Sequence, residues 1–527
     1  MQFRVTQSKL IAIVSLVFVV FYNYPFFSHT LAAFSCKTFL ECLRIVSLGV
    51  ILWSIINILL TLVSSRYTTK PIIIMLFMVS SFTTYFMNTY NVVIDDSMIR
   101  NALQTDIKES LGLFNSKLLL YILFLGLFPS YIVYRTKILY YDTLKEIRAK
   151  IKMIFFSLAF IMMSLFTFNK FYASFFREYK ILRFYTNPTY WIYSVGWYIQ
   201  DNLKNKNKVL KKIGLDAKIE NDTTRKIVFM IVGEAARADH FSLNGYSRET
   251  NPKLSEEDII NFSKMYSCGT STAHSVPCMF SIYTRKEYNY EKARYTENAL
   301  DVLKHTNKVA ILWRDNNSDS KGVALRVQHE NYKNPKNNPI CDTECRDIGM
   351  LVGLEEFIDT HKEKNILIVL HQMGNHGPEY YKRYTKDYKK FIPECQTNQL
   401  QECSKESISN AYDNALLYTD NFLYKTIQLA KKYTKADTAV LYMSDHGESL
   451  GENGIYLHGL PYFIAPDAQI HIGSFLWLND KFQDHLNISD IEKRKDKQLS
   501  HDYLFHTLLG LFNVKTKVYD QTLDIVH

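Results

Sequence analysis

The chain is 527 residues long, with 62 Lys and Arg against 52 Asp and Glu for a net charge of +10, and 47% of its residues are hydrophobic. That length allows two to four domains, and the apolar and charged fractions exclude a disordered or collagen-like chain. The basic excess suits anionic lipid and comes with no basic-aromatic reading motif, so no nucleic-acid partner is expected.

Mean hydropathy is close to neutral at −0.12, because an apolar first third is averaged with a more polar remainder. Five apolar stretches, 10–27, 46–63, 72–86, 118–134 and 153–168, approach the roughly 20 residues that cross a bilayer. The first has a charged start in Arg4 and Lys9, but its apolar run is too long for a signal peptide and no small-x-small cleavage site follows, so it reads as an anchor. With a cytoplasmic N-terminus the inside segments hold ten basic residues: Arg4, Lys9, Arg66, Lys70, Arg135, Lys137, Lys145, Arg148, Lys150 and Lys152. The outside segments hold five: Lys37, Arg44, Arg100, Lys108 and Lys117. Positive residues favour the inside, so five crossings put everything after about residue 169 on the far side. The stretches carry almost no charge, which argues against a transporter.

All eight cysteines lie in the expected outside parts, as Cys36 and Cys42, Cys268 and Cys278, Cys341 and Cys345, Cys395 and Cys403. Close pairs in an oxidising compartment read as local disulfides. A zinc site built from Cys341, Cys345, Cys395 and Cys403 is the rival reading, and it lacks the usual C-x2-C spacing. Cys36 and Cys42 flank a membrane entry, where plain buried thiols are the alternative. Residues 171–200 are rich in aromatic and basic side chains, which suits a helix lying in the headgroup layer or one packed on the soluble domain. The stretch 202–212, NLKNKNKVLKK, reads as a linker. The expected organisation is a transmembrane domain over 1–170, interfacial helices and linker over 171–222, and a catalytic domain over 223–527.

From residue 226 onward, short apolar runs alternate with helical patterns: 226–232, 308–313, 365–370, 438–443 and 474–478. Continuous apolar runs indicate strands covered on both faces, hence a parallel α/β sheet. Such sheets place ligands beyond the carboxyl ends of their strands. Glu234 follows the first run, 371–376 with its two histidines follows the third, and Asp445-His446 follows the fourth. Singly, Glu234 could balance a helix dipole, Asp445 could be a cap and His376 a turn residue. Their convergence on one edge points instead to a divalent metal, for which zinc is the best guess. Between the first two runs lies CGTSTAHSVPCMFS, 268–281, with hydroxyls at Thr270, Ser271, Thr272 and Ser275 ahead of a helix. A hydroxyl at a helix N-terminus beside a metal is a good nucleophile position, and ordinary capping is the competing reading. Spacing does not choose among the four.

Five motifs in order, VGEAARADHFSLNGYSRETNP (232–252), CGTSTAHSVPCMFS, LWRDNNSDSKG (312–322), HQMGNHGP (371–378) and SDHGESLGENGIYLHG (444–459), resemble the lipid A phosphoethanolamine transferases, which include the mobile colistin resistance enzymes. The resemblance covers the whole chain. It implies five transmembrane helices followed by an α/β domain like those of alkaline phosphatases and sulfatases, in the inner membrane with the catalytic domain periplasmic. It implies a catalytic zinc held by Glu234, Thr272, Asp445 and His446, with Thr272 the nucleophile. His376 and His458 match substrate-side histidines that can hold a second zinc or contact the phosphate. Lys321 and Asn317 match contacts to the phosphoryl or ethanolamine group, and Glu109 matches a residue that engages the lipid donor. Disulfides are implied at Cys268 with Cys278, Cys395 with Cys403 and, across a shorter loop, Cys341 with Cys345. His274 departs from the pattern, standing where relatives have an apolar or aromatic residue, and so could alter substrate contacts or bind extra metal.

The implied reaction takes phosphoethanolamine from phosphatidylethanolamine to lipid A through a phosphorylated Thr272, releasing diacylglycerol, in a monomeric enzyme. Transfer to an inner-core sugar or a surface protein is the alternative, as is a phosphoglycerol transferase of the same fold. A sulfatase would carry a C/S-x-P-x-R motif, and none sits at Thr272.

Overall fold

Apolar side chains in the first third have nowhere to go but against one another or lipid, and they fold as helices whose backbone groups are satisfied internally. The computed structural model describes residues 4–34, 36–104, 112–205, 209–220 and 224–527. Two bodies result, Met1–Ile99 with Phe114–Gln200, and Arg100–Leu113 with Asp201–His527.

The first body contains α1 (Gln7–Tyr22), α2 (Tyr24–Ala33), α3 (Phe39–Val63), α4 (Thr69–Tyr90), the first residues of α5 (Asp96–Gln104), α6 (Ser116–Arg135, with a π-helical stretch at Ile122–Leu127), α7 (Thr143–Thr167), α8 (Asn169–Glu178) and most of α9 (Thr189–Asn205). Helices α3, α4, α6 and α7 are each long and apolar enough to cross a membrane. The apolar stretch over 10–27, read as one anchor, is instead broken at Asn23, and α1 and α2 meet at a bend of 59°, so among the described residues the candidate spans number four, or five if the bent pair is one. Asn23 is fully buried, and its side chain is taken up by Asn187: Asn23 Nδ2 donates to the Asn187 carbonyl at 2.6 Å and Asn23 Oδ1 accepts from Asn187 N at 2.8 Å. Pro25 then starts the second helix in the first turn, where its missing N–H costs nothing. Helix α3 begins ahead of its apolar stretch because Thr38 and Glu41 form a capping box.

Residues 171–200, treated as one helical segment, are two helices joined by a 3-10 turn at Lys180–Tyr185, and α9 runs on to Asn205, so the first residues read as linker are helical.

The second body is built on a seven-stranded sheet of β1 (Lys226–Gly233), β2 (Ile259–Asn261), β3 (Val309–Asp315), β4 (Gln328–Asn331), β5 (Asn365–His371), β6 (Asp437–Ser444) and β7 (Ser474–Leu478), in spatial order β2-β7-β6-β1-β5-β3-β4. Strands β6, β1, β5, β3 and β4 are mutually parallel. The run at 474–478 departs from the all-parallel expectation: β7 is antiparallel to β6 and to the short β2.

Alternate residues of β1 enter separate cores, Val228, Met230 and Val232 on one face and Ile227, Phe229 and Ile231 on the other. This two-sided burial explains why the run carries no polar alternation. Around the sheet lie α10 (Thr272–Met279), α11 (Tyr290–Arg294), α12 (Ala299–His305), α13 (Lys405–Ala430) and α14 (Leu504–Leu511). Helices α12 and α14 pack in the first core and α13 in the second.

Candidate active site

The central strands end at one edge and deliver their next residues together. Glu234 follows β1, Asp445 and His446 follow β6, and all three are buried. Thr272 is the first residue of α10. Its hydroxyl donates to Glu234 Oε2 at 3.1 Å and lies 3.4 Å from His446 Nε2. The other three hydroxyls of the segment differ. Thr270 donates to the Leu460 carbonyl at 2.6 Å, Ser275 bonds the Asp445 carbonyl, and Ser271 sits at the N-cap without a capping bond.

The donor set fits a divalent cation. His446 Nδ1 lies 2.8 Å from the Gly447 carbonyl, which can only accept, so Nδ1 carries the proton and Nε2 offers its lone pair. That Nε2 is 3.3 Å from Glu234 Oε1 and 3.4 Å from Asp445 Oδ2. Both carboxylate oxygens are buried and have no hydrogen-bond partner among the described residues, which is costly unless a cation meets them. Glu234, His446 and His458 offer ligand atoms that all lie within 4.8 Å of one another. Burial and the adjacent Glu234 carboxylate push the Asp445 carboxyl above its usual range, against the pull of His446 and His371.

Gly374 lets the segment after β5 cross this cluster. Its φ is +47°, and a Cβ there would come within 2.9 Å of the Glu234 carbonyl oxygen, which accepts from Asn375 N at 3.1 Å. The crossing carries His376, whose Nδ1 donates to the Gly377 carbonyl at 2.7 Å. The His376 and His458 ring centroids are 6.0 Å apart, while His458 is 4.1 Å from the His446 ring, so His458 stands closer to the first cluster. Asn317, beyond β3, donates to Glu234 Oε2 at 2.8 Å and to the Gln372 carbonyl at 2.7 Å. Lys321 Nζ donates to the Ser318 carbonyl at 2.7 Å and the Gln104 carbonyl at 3.3 Å. Glu109 lies outside the described residues.

The comparisons with known proteins agree from end to end. Residues 226–514 match the family described as Sulfatase, and residues 52–203 match that described as Phosphoethanolamine transferase EptA/EptB. The chain is 45% identical to the phosphatidylethanolamine transferase Mcr-1 of Escherichia coli, over 91% of this chain and 90% of that one. The chain belongs to the lipid A phosphoethanolamine transferase family. The integral membrane lipooligosaccharide phosphoethanolamine transferase A of Neisseria meningitidis superimposes with a TM-score of 0.96 at 32% identity, covering 99% of each chain. The C-terminal periplasmic domain of phosphoethanolamine transferase EptC from Campylobacter jejuni gives a TM-score of 0.54 at 42% identity, over 60% of this chain and 97% of that one. The protein is thus a phosphoethanolamine transferase, with apolar helices first and a sulfatase-like catalytic domain after.

Two buried groups of this transferase site were given no role from the sequence, although His371 opens the stretch 371–376 named there. Glu448 is fully buried with Oε1 3.3 Å from His458 Nδ1, and burial pushes its carboxyl up to about 8. His371 ends β5 with Nδ1 2.8 Å from Asp315 Oδ2, which also accepts from Trp313 Nε1 at 2.9 Å, while Asp315 Oδ1 accepts from Asn317 N at 2.9 Å. The signal for both was positional: each sits at or just past a strand's carboxyl end. His274 packs edge-on against Tyr288 at 5.0 Å, and burial together with Arg100 and Arg285 depresses its pKa to about 4. Disulfides join Cys36 to Cys42, Cys268 to Cys278, Cys341 to Cys345 and Cys395 to Cys403. The two pairs of the rival zinc reading are therefore each closed on themselves.

Proposed function

We propose that this enzyme moves phosphoethanolamine from phosphatidylethanolamine to lipid A through a phosphorylated Thr272, on the periplasmic side of the inner membrane. The observation that carries the reading is the Thr272 hydroxyl at a helix start, hydrogen-bonded to Glu234 beside unpartnered buried carboxylate oxygens. The names of its relatives, an integral membrane lipooligosaccharide transferase and a periplasmic domain, support the acceptor class and the compartment.

Glu234, Thr272, Asp445 and His446 would hold a catalytic zinc, with His458 near enough to join it or to pair with His376 around a second. Zinc, when bound, lowers the pKa of the hydroxyl and offsets charge on the phosphoryl oxygens. In the first half-reaction Thr272 Oγ1 bonds to the phosphorus while the bond from phosphorus to the diacylglycerol oxygen breaks, and that oxygen leaves with a proton. Glu234 Oε2 already accepts the hydroxyl's hydrogen, so the Thr272 proton goes there first. Helix α10 presents its N-terminal N–H groups to the new phosphate, and His376, His458 and Lys321 counter its charge. In the second half-reaction an acceptor hydroxyl oxygen of lipid A bonds to phosphorus as the bond to Thr272 Oγ1 breaks, and the proton it loses returns by way of Glu234 Oε2 to Oγ1, which regenerates the hydroxyl.

The test is mass spectrometry of lipid A and core oligosaccharide from cells carrying wild type or Thr272→Ala. One added phosphoethanolamine on lipid A with wild type alone is the expected result. Modification by the Thr272→Ala variant would overturn the nucleophile, and modification confined to core sugar would overturn the acceptor.

A further inference from the structure

The segment Arg100–Leu113, although it comes from the N-terminal third of the sequence, groups with the catalytic residues. Among the described residues, one of its anchors is a buried arginine. Arg100 is 8% exposed, its Nη1 donates to Glu291 Oε1 at 3.2 Å, and its guanidinium carbon stands 3.7 Å from the centre of the Tyr290 ring. Asp201 adds a more distant carboxylate at 4.0 Å. Glu291 is itself 2% exposed, so this is a desolvated, stacked ion pair of the kind that fixes one geometry. One turn further on, Gln104 reports that geometry twice: its Nε2 donates to the Tyr290 hydroxyl at 3.1 Å, and its carbonyl accepts from Lys321 Nζ at 3.3 Å.

Both ends of this arrangement touch the transfer site. Tyr290 and Glu291 open α11, which packs against α10, the helix that begins with Thr272. Lys321 has φ +52°, an unusual backbone for a lysine, and is 8% exposed, so its ammonium is aimed by what it bonds, the Ser318 carbonyl at 2.7 Å from its own loop and the Gln104 carbonyl at 3.3 Å from outside it. We propose that Arg100 is a positioning residue for phosphoethanolamine transfer: clamped on Tyr290 and Glu291, it holds the Gln104 carbonyl where that carbonyl fixes the Lys321 ammonium relative to the phosphoryl group. The inference rests on the reading of Lys321 as a phosphate contact. A displacement of about 1 Å in such a group costs on the order of a hundredfold in rate.

The test is a double-mutant cycle on the full-length enzyme in detergent, with phosphatidylethanolamine carrying a fluorescent acyl chain, kcat and KM taken separately, and bound zinc and melting temperature measured on each variant. Arg100→Ala should lower kcat by about tenfold or more with zinc content unchanged, and Arg100→Ala combined with Lys321→Ala should be no slower than Lys321→Ala alone, because the arginine acts through the lysine. Glu291→Gln, which keeps packing and the hydrogen bond but removes the charge, should give a smaller loss in the same direction, and it serves if Arg100→Ala does not fold. The exchange Arg100→Glu with Glu291→Arg should recover part of kcat. Undiminished kcat in Arg100→Ala, or losses that multiply in the double variant, overturns the inference while leaving Lys321 in place. Undiminished kcat in Lys321→Ala instead overturns the reading of Lys321, and the inference falls with it.

Discussion

Replacing Asn317 by alanine separates orienting the metal site from touching the substrate. The side chain is 3% exposed and spends both amide hydrogens on neighbours, Glu234 Oε2 and the Gln372 carbonyl, so it orients a carboxylate. Asn317→Ala leaves Glu234 Oε2 with the Thr272 hydroxyl at 3.1 Å and strands a buried carbonyl. Losing an outer hydrogen bond to a ligating carboxylate weakens metal binding about 10- to 100-fold, or roughly 1.4 to 2.8 kcal/mol. The assay is competition for zinc between the purified full-length variant and a chromophoric chelator at fixed pH, alongside kcat at saturating zinc. The expected outcome is a loss of zinc affinity in that range, with much of kcat recovered when zinc is raised. Unchanged zinc affinity with a lowered kcat would refute the orienting role and return Asn317 to direct substrate contact.

Chelation should abolish transfer and zinc should restore it; activity indifferent to chelators would remove the metal from the reaction. His501 is buried, accepts from Cys268 N at 3.0 Å through Nδ1 and donates to the Ser444 carbonyl at 2.9 Å through Nε2, so the fold holds it neutral. Burial depresses its pKa to about 4 from 6.5, so acidification protonates the unfolded chain first and removes stability between those values, by about 3 kcal/mol in full. The melting temperature of His501→Gln should therefore fall less than that of wild type between pH 7 and 4.5, and equal falls would count against it. Removing Cys268 and Cys278 opens a loop with a sequence separation of 10, which by chain entropy costs about 3 kcal/mol and should appear as a lower denaturant midpoint.

The sheet was legible wherever burial was two-sided. Runs such as 226–232 and 438–443 have no polar interruption, and their strands appear within a residue or two of the expected bounds. The edge strand Gln328–Asn331 was not legible, because its four residues are polar and largely exposed and nothing in their pattern marks pairing with β3. Nor was the direction of β7, since an apolar run says that a strand is covered but not which way it runs. In the site, the residues just past strand ends could be named, but Asn317 on Glu234 and Glu448 against His458 depend on where amide and carboxylate groups point. Sequence spacing carries no such information. The bend at Asn23 was hidden for a similar reason: its partner, Asn187, lies 164 residues away.

That distance also has a meaning in time. Chains grow at roughly 5 to 20 residues per second, so the 164 residues separating Asn23 from Asn187 take about 10 to 30 seconds to make. Throughout that interval the Asn23 amide has the Phe18 carbonyl to donate to, at 2.9 Å, but lacks the Asn187 N–H that its Oδ1 accepts from in the finished fold. The bend at Asn23 therefore gains its two bonds to Asn187 only once the chain beyond the last apolar helix has been made.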